Sequence, residues 1–243
     1  MGVYSDYSIL GLIPARGGSK GIPRKNLAPL AGRPLIAHTI AAGLKAGSIG
    51  RLVVSTDDPE IAGVARQQGA EVPFMRPAEL AGDQAGALEV IQHAVQTLEA
   101  AGDWRADIVV YLQPTSPLRR AEHIDAAVAL LMDESADSVV SVVPVPHNFN
   151  PTSVMKLENG LLKPFLGEAG PLRRQDKPRV LARNGPAVLA VTRNTIMEQG
   201  ALYGPRTLPL IMEPQDSLDI DTLFDLELAQ WMLERRERLS HGS

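Results

Sequence analysis

The first half of the chain alternates between short apolar runs and longer segments with helical periodicity. Four runs have the length and composition of buried strands: residues 8–12, 52–55, 71–74 and 107–112. Between them, apolar residues recur every three or four positions, which predicts helices that bury one face. Strands that alternate with helices of this length predict an α/β fold with a mainly parallel central sheet and right-handed crossovers.

Capping residues and apolar periodicity indicate where the helices begin and which faces they bury. Asp58 precedes the second predicted helix and suits its N-terminus. A third helix follows Asp83, and because His93 falls off its apolar stripe, we expect this histidine on the surface. A closing helix is predicted over residues 222–238, with five apolar residues partly buried: Leu223, Leu226, Ala229, Trp231 and Leu233.

The alternation changes after a strand predicted over residues 138–145. A hairpin is expected next, because Asn159-Gly160 lies between two apolar runs. We interpret residues 146–178 as an arm inserted into a single domain that spans residues 1–243. Two roles stay open for this arm, a dimerisation element and a surface flap on a monomer. Two later strands return to the sheet: residues 187–192 and 207–211.

The loop after the first predicted strand, residues 13–27, carries both glycines and cations. Gly17, Gly18 and Gly21 let its backbone N–H groups approach a ligand closely. Four cations lie on it: Arg16, Lys20, Arg24 and Lys25. Because residues 7–56 include no acidic side chain, we expect this charge to lack a local partner. The loop predicts a phosphate cradle, with solvated cations on an ordinary turn as the alternative, and it matches neither the P-loop nor the dinucleotide-binding pattern.

Composition narrows the ligand of this loop. The 243 residues carry 24 basic and 28 acidic side chains, a formal net charge of −4. A positive loop in an acidic chain indicates a small polyanion such as a nucleoside triphosphate, and it argues against nucleic acid or a membrane surface as partner. Because the chain has no cysteine, disulfides, a thiolate nucleophile and a cysteine zinc site are excluded. Without a signal peptide or a long apolar run, we expect a soluble, cytoplasmic protein.

A second candidate site lies near the end of the chain, at residues 217–222. In an extended segment alternate side chains share a face, so Asp219 and Asp221 point the same way while Ile220 points into the core. Two carboxylates on one side suit Mg²⁺, which commonly takes one or two carboxylates plus substrate phosphates. The alternative is that Asp221 or Thr222 caps the closing helix, with Asp225 supporting its first turn.

Four segments together resemble, in order and spacing, the N-acylneuraminate cytidylyltransferases (CMP-sialic acid synthetases), including relatives for bacterial acids such as legionaminic and pseudaminic acid. The segments are residues 13–27, 112–119, 173–176 with Asn184-Gly185, and 217–222. The resemblance implies a Rossmann-like nucleotidyltransferase fold, a small hairpin dimerisation element, a homodimer and Mg²⁺ dependence. Such enzymes convert CTP and a nine-carbon 2-keto sugar acid to a CMP-sugar and pyrophosphate.

The resemblance also implies roles for individual residues. It implies that the catalytic residues are Arg16, Lys25, Asp219 and Asp221. Of these, Asp219 and Asp221 are expected to bind the metal ion. Nucleotide contacts fall on Arg16, Gly17, Ser19, Lys20, Lys25, Asn26 and Arg76. Sugar-acid contacts fall on Gln113, Thr115, Ser116, Arg173, Arg174 and Asn184. From the residues alone, the cationic cluster around Arg173 is either a solvated face or the wall of an anion pocket.

Departures from the family pattern leave the exact sugar open. No threonine or serine follows Asp83, and residues 184–190 lack an aromatic side chain. A rival is the cytidylyltransferase for 3-deoxy-octulosonate, whose first loop resembles Ser-x-Arg-x-x-x-Lys-Pro, whereas this chain has Ser19-Lys-Gly. Another is a nucleotide-sugar-dependent glycosyltransferase, whose paired aspartates are expected where this chain has Gln113-Pro-Thr-Ser. A third is a non-catalytic nucleotide-binding regulator.

Overall fold

The structure, a computed structural model, describes residues 6–102, 104–167, 170–171 and 173–241. Within them the strands are β1 (Ile9–Pro14), β2 (Pro29–Leu30), β3 (Arg33–Pro34), β4 (Arg51–Ser55), β5 (Ile108–Tyr111), β6 (Ser138–Pro144), β7 (Met155–Glu158), β8 (Leu161–Pro164), β9 (Leu181–Arg183), β10 (Leu189–Thr192) and β11 (Thr207–Ile211). The α-helices are α1 (Leu35–Lys45), α2 (Pro59–Gln67), α3 (Ala87–Ala100), α4 (Ala121–Asp133), α5 (Arg193–Met197) and α6 (Leu223–His241).

The central sheet has the strand order β11-β6-β10-β5-β1-β4, and β9 extends the pairing of β6. β1 pairs in parallel with β4 and β5, and β11 pairs in parallel with β6. β10 is antiparallel to both of its neighbours, so β5 and β6 run in the same direction. The expected α/β fold with a mainly parallel sheet is confirmed, and the carboxyl ends of β1, β4, β5, β6 and β11 meet at one edge.

Helices cover both faces of this sheet. On one face α1, α2 and α4 pack through residues such as Ile40, Ile61 and Val128. On the other face α3 and α5 pack through residues such as Ile91 and Ile196. Successive residues of each strand point to opposite faces, which is why the strands read as continuous apolar runs. The strand ends are therefore held firmly from both sides, and the loops that follow them are the parts free to hold a ligand.

Two expectations about the first half of the chain were wrong. Residues 71–74 form no strand, because Glu71 makes one isolated parallel bridge to Val53 and Pro73 then lacks the N–H that a ladder needs. His93 is half-buried instead of lying on the surface. Its ring packs edge-on against Phe74, with the ring centroids 5.2 Å apart. The segment that failed as a strand therefore covers α3.

The closing helix α6 buries a narrower face than expected. Ala229 is fully buried, and Leu226 and Leu233 pack with it against Leu30 beside the first loop. Leu223 and Trp231 were expected to be partly buried, but the structure leaves both exposed. Through this narrow contact α6 fixes the segment before it against the loop after β1.

The arm over residues 146–178 contains the predicted hairpin, with residues 168, 169 and 172 outside the described part. β7 and β8 pair antiparallel on either side of Asn159 and Gly160. Both turn residues have positive φ, 52° and 75°, as the tight hairpin turn that favours Asn-Gly requires. The chain returns through β9, which pairs with the end of β6. None of the described helices has the length and apolar character to cross a membrane.

Candidate active site

A cleft of about 570 Å³ opens at the carboxyl edge of the sheet, over the ends of β1 and β5. Nine of the residues singled out from the sequence line it: Arg16, Ser19, Lys20, Lys25, Asn26, Arg76, Gln113, Thr115 and Asp221. They come from both ends of the chain, and the parallel strands deliver them to one place because ligands of such sheets bind at the carboxyl ends.

The cations of the first loop each have an acidic partner, but none of these partners lies within residues 7–56. Arg16 Nη1 and Lys20 Nζ lie 2.8 and 2.7 Å from the two carboxylate oxygens of Asp83. Arg24 turns away from the cleft and pairs with Asp58 at 3.0 Å and with Glu60. The partners lie outside residues 7–56, so only the tertiary fold supplies them.

Asn26 and Lys25 connect the loop to its surroundings. The amide nitrogen of buried Asn26 donates to the carbonyl oxygen of Arg16 at 3.0 Å, which fixes the loop around the first cation. Lys25 Nζ donates to the carbonyl oxygen of Ile220 at 2.7 Å and lies 3.1 Å from Asp221 Oδ1. The glycine-rich loop and the late acidic segment therefore touch.

Gly21 allows this contact. A Cβ atom built on Gly21 would lie 2.3 Å from the carbonyl oxygen of Asp221, closer than real side chains permit. By contrast, a Cβ on Gly18 would meet nothing within 4 Å. Of these two glycines, Gly21 is the one whose lack of a side chain sets the distance between the loop and the carboxylates.

The segment before α6 presents its two aspartates as the alternation predicts. Ile220 is fully buried, and its N–H donates to the carbonyl oxygen of Thr115 at 2.8 Å. Asp219 is half-buried, whereas the side chain of Asp221 is exposed beside Lys25. Desolvation raises the pKa of Asp219, as does the nearby charge of Asp221, while a hydrogen bond with Thr115 opposes them.

The capping alternative holds for Thr222 with Asp225, and it does not involve the side chain of Asp221. The carboxylate of Asp225 accepts hydrogen bonds from the N–H of Thr222 at 2.8 Å and of Asp221 at 3.1 Å. The hydroxyl of Thr222 lies 3.3 Å from the N–H of Asp225, so the two residues cap the start of α6 reciprocally. The side chains of Asp219 and Asp221 are left for another function.

The donor set fits a magnesium ion. Asp219 Oδ1 is buried and has no hydrogen-bond partner among the described residues, which is costly unless something else contacts it. In the described part of the chain no three or more His, Cys, Asp or Glu side chains converge as a self-sufficient metal cage. Two carboxylates that leave the remaining positions to water and phosphate are the arrangement Mg²⁺ commonly takes.

The turn after β5 is held by an arginine that the sequence did not single out. Buried Arg119 donates from Nη1 to the carbonyl oxygen of Gln113 at 3.1 Å and from Nη2 to Thr39 Oγ1 at 2.6 Å. Burial lowers its pKa to about 9. Arg119 therefore fixes the backbone that presents Gln113 and Thr115 to the cleft, and its place at the end of a polar turn was the signal for it.

Arg76 and Tyr111 form part of the inner wall of the cleft. Arg76 is buried and donates from Nε to Ser55 Oγ at 3.0 Å, and burial lowers its pKa. Tyr111, at the end of β5, was not picked out from the sequence, and burial raises its pKa to about 12. Both side chains hold their ordinary charge state near neutral pH, so this wall contributes shape and one fixed positive charge.

Several predicted residues lie elsewhere. Gly17 and Ser116 are not among the described residues that line the cleft; the N–H of Gly17 donates to Asp57 Oδ1 at 3.0 Å, and Ser116 is fully buried. Arg173 and Arg174 are exposed on the arm, where Arg174 borders a separate basic cleft of about 590 Å³.

Asn184 lies inside the sheet. It is buried, and its amide oxygen accepts a hydrogen bond from Ser141 Oγ at 2.6 Å. Ser141 Oγ in turn accepts from the N–H of Val188 at 2.9 Å. Because β9 and β10 both pair with β6, Ser141 and Asn184 connect the backbone between these two strands. This placement does not support a direct contact between Asn184 and a sugar acid.

Known proteins resemble this chain over most of its length. Residues 10–234 match the family model described as cytidylyltransferase. The chain belongs to the cytidylyltransferase family. Within it, the CMP-N,N'-diacetyllegionaminic acid synthase of Legionella pneumophila is 37% identical over 93% of this chain and 96% of the relative. The N-acylneuraminate cytidylyltransferase of Escherichia coli is 32% identical over 95% of this chain and 53% of the relative, which is about twice as long.

Solved cytidylyltransferase structures share the fold. A CMP:2-keto-3-deoxy-manno-octonic acid synthetase complexed with CTP superposes with a TM-score of 0.68 at 19% identity, covering 94% of this chain and 99% of that one. The 4-diphosphocytidyl-2C-methyl-D-erythritol synthase of Anaerococcus prevotii gives a TM-score of 0.61 at 11% identity, with the same coverage. At these identities the likeness concerns the fold alone.

Proposed function

We propose that this protein transfers CMP from CTP to the anomeric hydroxyl of a nine-carbon 2-keto sugar acid and releases pyrophosphate. The observation that carries the proposal is the contact between Lys25 and Asp221, which lie 3.1 Å apart although 196 positions separate them along the chain. A cleft lined by cations and by Asp221, with Asp219 two residues earlier in the chain, suits a metal-bound triphosphate. Relatives named for nine-carbon acids support the choice of acceptor.

The reaction needs alignment and charge stabilisation. A bond forms between the anomeric oxygen and the α-phosphorus. The bond from the α-phosphorus to the oxygen that bridges it to the β-phosphorus breaks, and pyrophosphate leaves with that electron pair. Arg16, Lys20 and Lys25 stabilise the charge that develops on pyrophosphate. Asp221 accepts the proton of the attacking hydroxyl. No covalent protein nucleophile is needed, which agrees with the absence of cysteine.

Asp219 and Asp221 are the residues proposed to hold Mg²⁺. When bound, the ion supplies Lewis-acid stabilisation of the phosphate charge. The unpartnered oxygen of Asp219 and its raised pKa both favour a nearby cation, because a positive charge offsets the repulsion between the two carboxylates.

We place the sugar acid beside Gln113 and Thr115, which line the same cleft as the cations. Arg173 and Arg174 are exposed on the arm and not among the cleft-lining residues, so contact with the acid's carboxylate requires the arm of a second copy. The exposed apolar hairpin of the arm supports the homodimer that such a contact needs. The homodimer and a cytoplasmic location stay predictions.

A substrate panel tests the proposal. The protein is incubated with CTP, Mg²⁺ and one acid at a time, namely N-acetylneuraminic, legionaminic, pseudaminic or 3-deoxy-octulosonic acid, and pyrophosphate release is followed. We expect turnover with at least one nine-carbon acid and loss of turnover when EDTA removes the metal. Turnover with the octulosonic acid alone would assign the protein to the rival reaction, and no turnover with any acid would reject the proposal.

A further inference from the structure

Asp83 holds the two cations that the proposed function gives to the triphosphate. It lies between Leu80 and α3, on a segment that lines the cleft. Its two carboxylate oxygens are divided between the cations, Oδ1 at 2.8 Å from Arg16 Nη1 and Oδ2 at 2.7 Å from Lys20 Nζ. The carboxylate of Asp83 therefore makes the contacts with Arg16 and Lys20 that the phosphates of a bound triphosphate would make.

These ion pairs are solvated, and that makes them exchangeable. The side chains of Lys20 and Asp83 are 79% and 44% exposed. Exposed pairs contribute little net stability, because water competes for both partners. Hydrogen bonds from Lys20 and then Arg16 lower the pKa of Asp83, so it stays charged at any pH near neutrality.

Asp216 shows what a permanent ion pair in the same protein looks like. Its side chain is only 5% exposed and is held by Arg236 and, at 3.0 Å, by Arg120. Removing a partner from such a buried site leaves an uncompensated charge, which is strongly destabilising. Asp83 has neither the burial nor this structural cost, so its carboxylate can leave its partners without disturbing the fold.

The segment around Asp83 is anchored at both ends and open in the middle. Arg76 Nη1 lies 3.5 Å from the carbonyl oxygen of Leu80, and the N–H of Gly86 donates to Glu89 Oε2 at 2.9 Å. Between these points, a Cβ built on Gly82 would meet nothing within 4 Å. A turn closed by the N–H of Ala85 and the carbonyl oxygen of Gly82, 3.2 Å apart, carries Asp83, so free space lies beside its side chain.

We propose that Asp83 is an internal counter-ion of the triphosphate subsite: it pairs with Arg16 and Lys20 when the subsite is empty, yields them to the β- and γ-phosphates of CTP, and pairs with them again as pyrophosphate leaves. The inference rests on the proposed function and adds a competitor within the site. Because the competitor must be displaced, its charge weakens the binding of both CTP and pyrophosphate. The gain is faster release of a strongly bound product.

Direct binding measurements test this. Asp83→Asn keeps the shape and removes the charge, and Glu79→Gln is the matched control, because Glu79 is exposed on the same segment outside the cleft lining. Isothermal titration calorimetry with inorganic pyrophosphate and with CTP, each with and without Mg²⁺, gives the Kd values. We expect Asp83→Asn to lower both by about threefold to tenfold at low salt, with the difference shrinking as salt rises.

Each remaining outcome decides against the inference. Unchanged or weaker binding by Asp83→Asn would overturn it, and weaker binding only with Mg²⁺ would instead make Asp83 a metal contact. If Glu79→Gln lowered the Kd values equally, the effect would come from the net charge of the protein and not from a competing carboxylate at position 83. If the unaltered protein binds both probes and turns over, such results remove this inference and leave the proposed function; if it binds neither probe, both fall.

Discussion

In the cleft the reactive side chains stand on loops that follow buried strands or precede α6, whereas in the arm the apolar side chains are themselves exposed. Lys25 is held by the carbonyl of Ile220, and Gln113 by the buried guanidinium of Arg119. In the arm, Leu157 and Leu162 face each other across the hairpin and are 74% and 69% exposed. The cleft is positioned by one chain's core, but the hairpin has no comparable core.

This difference indicates a division of labour. Preorganised charges suit a reaction that needs alignment, since small displacements of reacting groups are costly. An exposed apolar hairpin instead suits an interface, because such surface gains most when another surface covers it. Changes in the cleft are therefore expected to alter turnover with assembly unchanged, and changes in the arm to alter assembly first.

The largest effect is expected from the carboxylates. Asp219→Asn and Asp221→Asn should each reduce kcat by about a hundredfold or more, because metal-assisted charge stabilisation contributes several kcal/mol. Pyrophosphate release gives the rate, and size-exclusion chromatography with light scattering should show unchanged assembly. Asp133→Asn, at the exposed end of α4, is the control and should retain activity. Full turnover in Asp221→Asn would remove its role at the attacking hydroxyl.

The contact between the loop and the carboxylates can be broken without touching a charge. Gly21→Ala puts a Cβ where the carbonyl of Asp221 now lies, so the two segments must separate. We expect kcat to fall roughly tenfold to a hundredfold, as for displacements of about 1 Å in a site. Gly18→Ala, whose Cβ has open space, should leave kcat unchanged. Equal activity of the two variants would show that this contact does not matter for turnover.

In the arm, a charged pair should disrupt assembly. The double variant Leu157→Glu with Leu162→Glu places like charges opposite each other on the apolar face. We expect a shift from dimer to monomer in light scattering, with a melting temperature that changes little if the protomer folds alone. Lys156→Gln, on the other face of the same hairpin, should stay dimeric. A dimer that survives the double variant would assign the interface to another surface.

The smallest effect concerns the helix behind the cleft. Asp58 caps α2 by accepting from the N–H groups of Glu60 and Ile61. Desolvation raises its pKa, but these hydrogen bonds and Arg24 outweigh it and lower the pKa below 3.8. Asp58→Ala should cost about 1 kcal/mol, measured by urea unfolding at pH 7 with turnover as the second readout.

The sign of the pH dependence follows from that lowered pKa. Asp58 stabilises the fold fully above its unfolded pKa, near 3.8, and this contribution is lost as the pH falls through the lower folded value. The stability difference between the unaltered protein and Asp58→Ala should therefore shrink in acid. A difference that stays constant down to strongly acidic pH would contradict the capping role.

Much of the fold could be predicted because its signals are local. The hairpin at Asn159-Gly160 and the cap at Asp58 depend on a few adjacent residues, and the structure has both. The strand predicted at residues 71–74 failed for a local reason as well, since Pro73 outweighed the apolar neighbours. His93 was misplaced because the periodicity of α3 does not reveal that Phe74 folds over it.

What the sequence alone determined is most of the alternation of strands and helices, the cations after β1 and the alternating pattern that puts Asp219 and Asp221 on one side of the chain. These follow from periodicity and turn chemistry, which act over a few residues. Only the tertiary structure decided that Lys25 contacts Asp221 and that Asn184 is buried. It also decided that Asp83 forms ion pairs with Arg16 and Lys20. Contacts between distant segments depend on which strands lie side by side in the sheet and on where their carboxyl ends meet. A pattern of neighbouring residues does not specify that spatial arrangement.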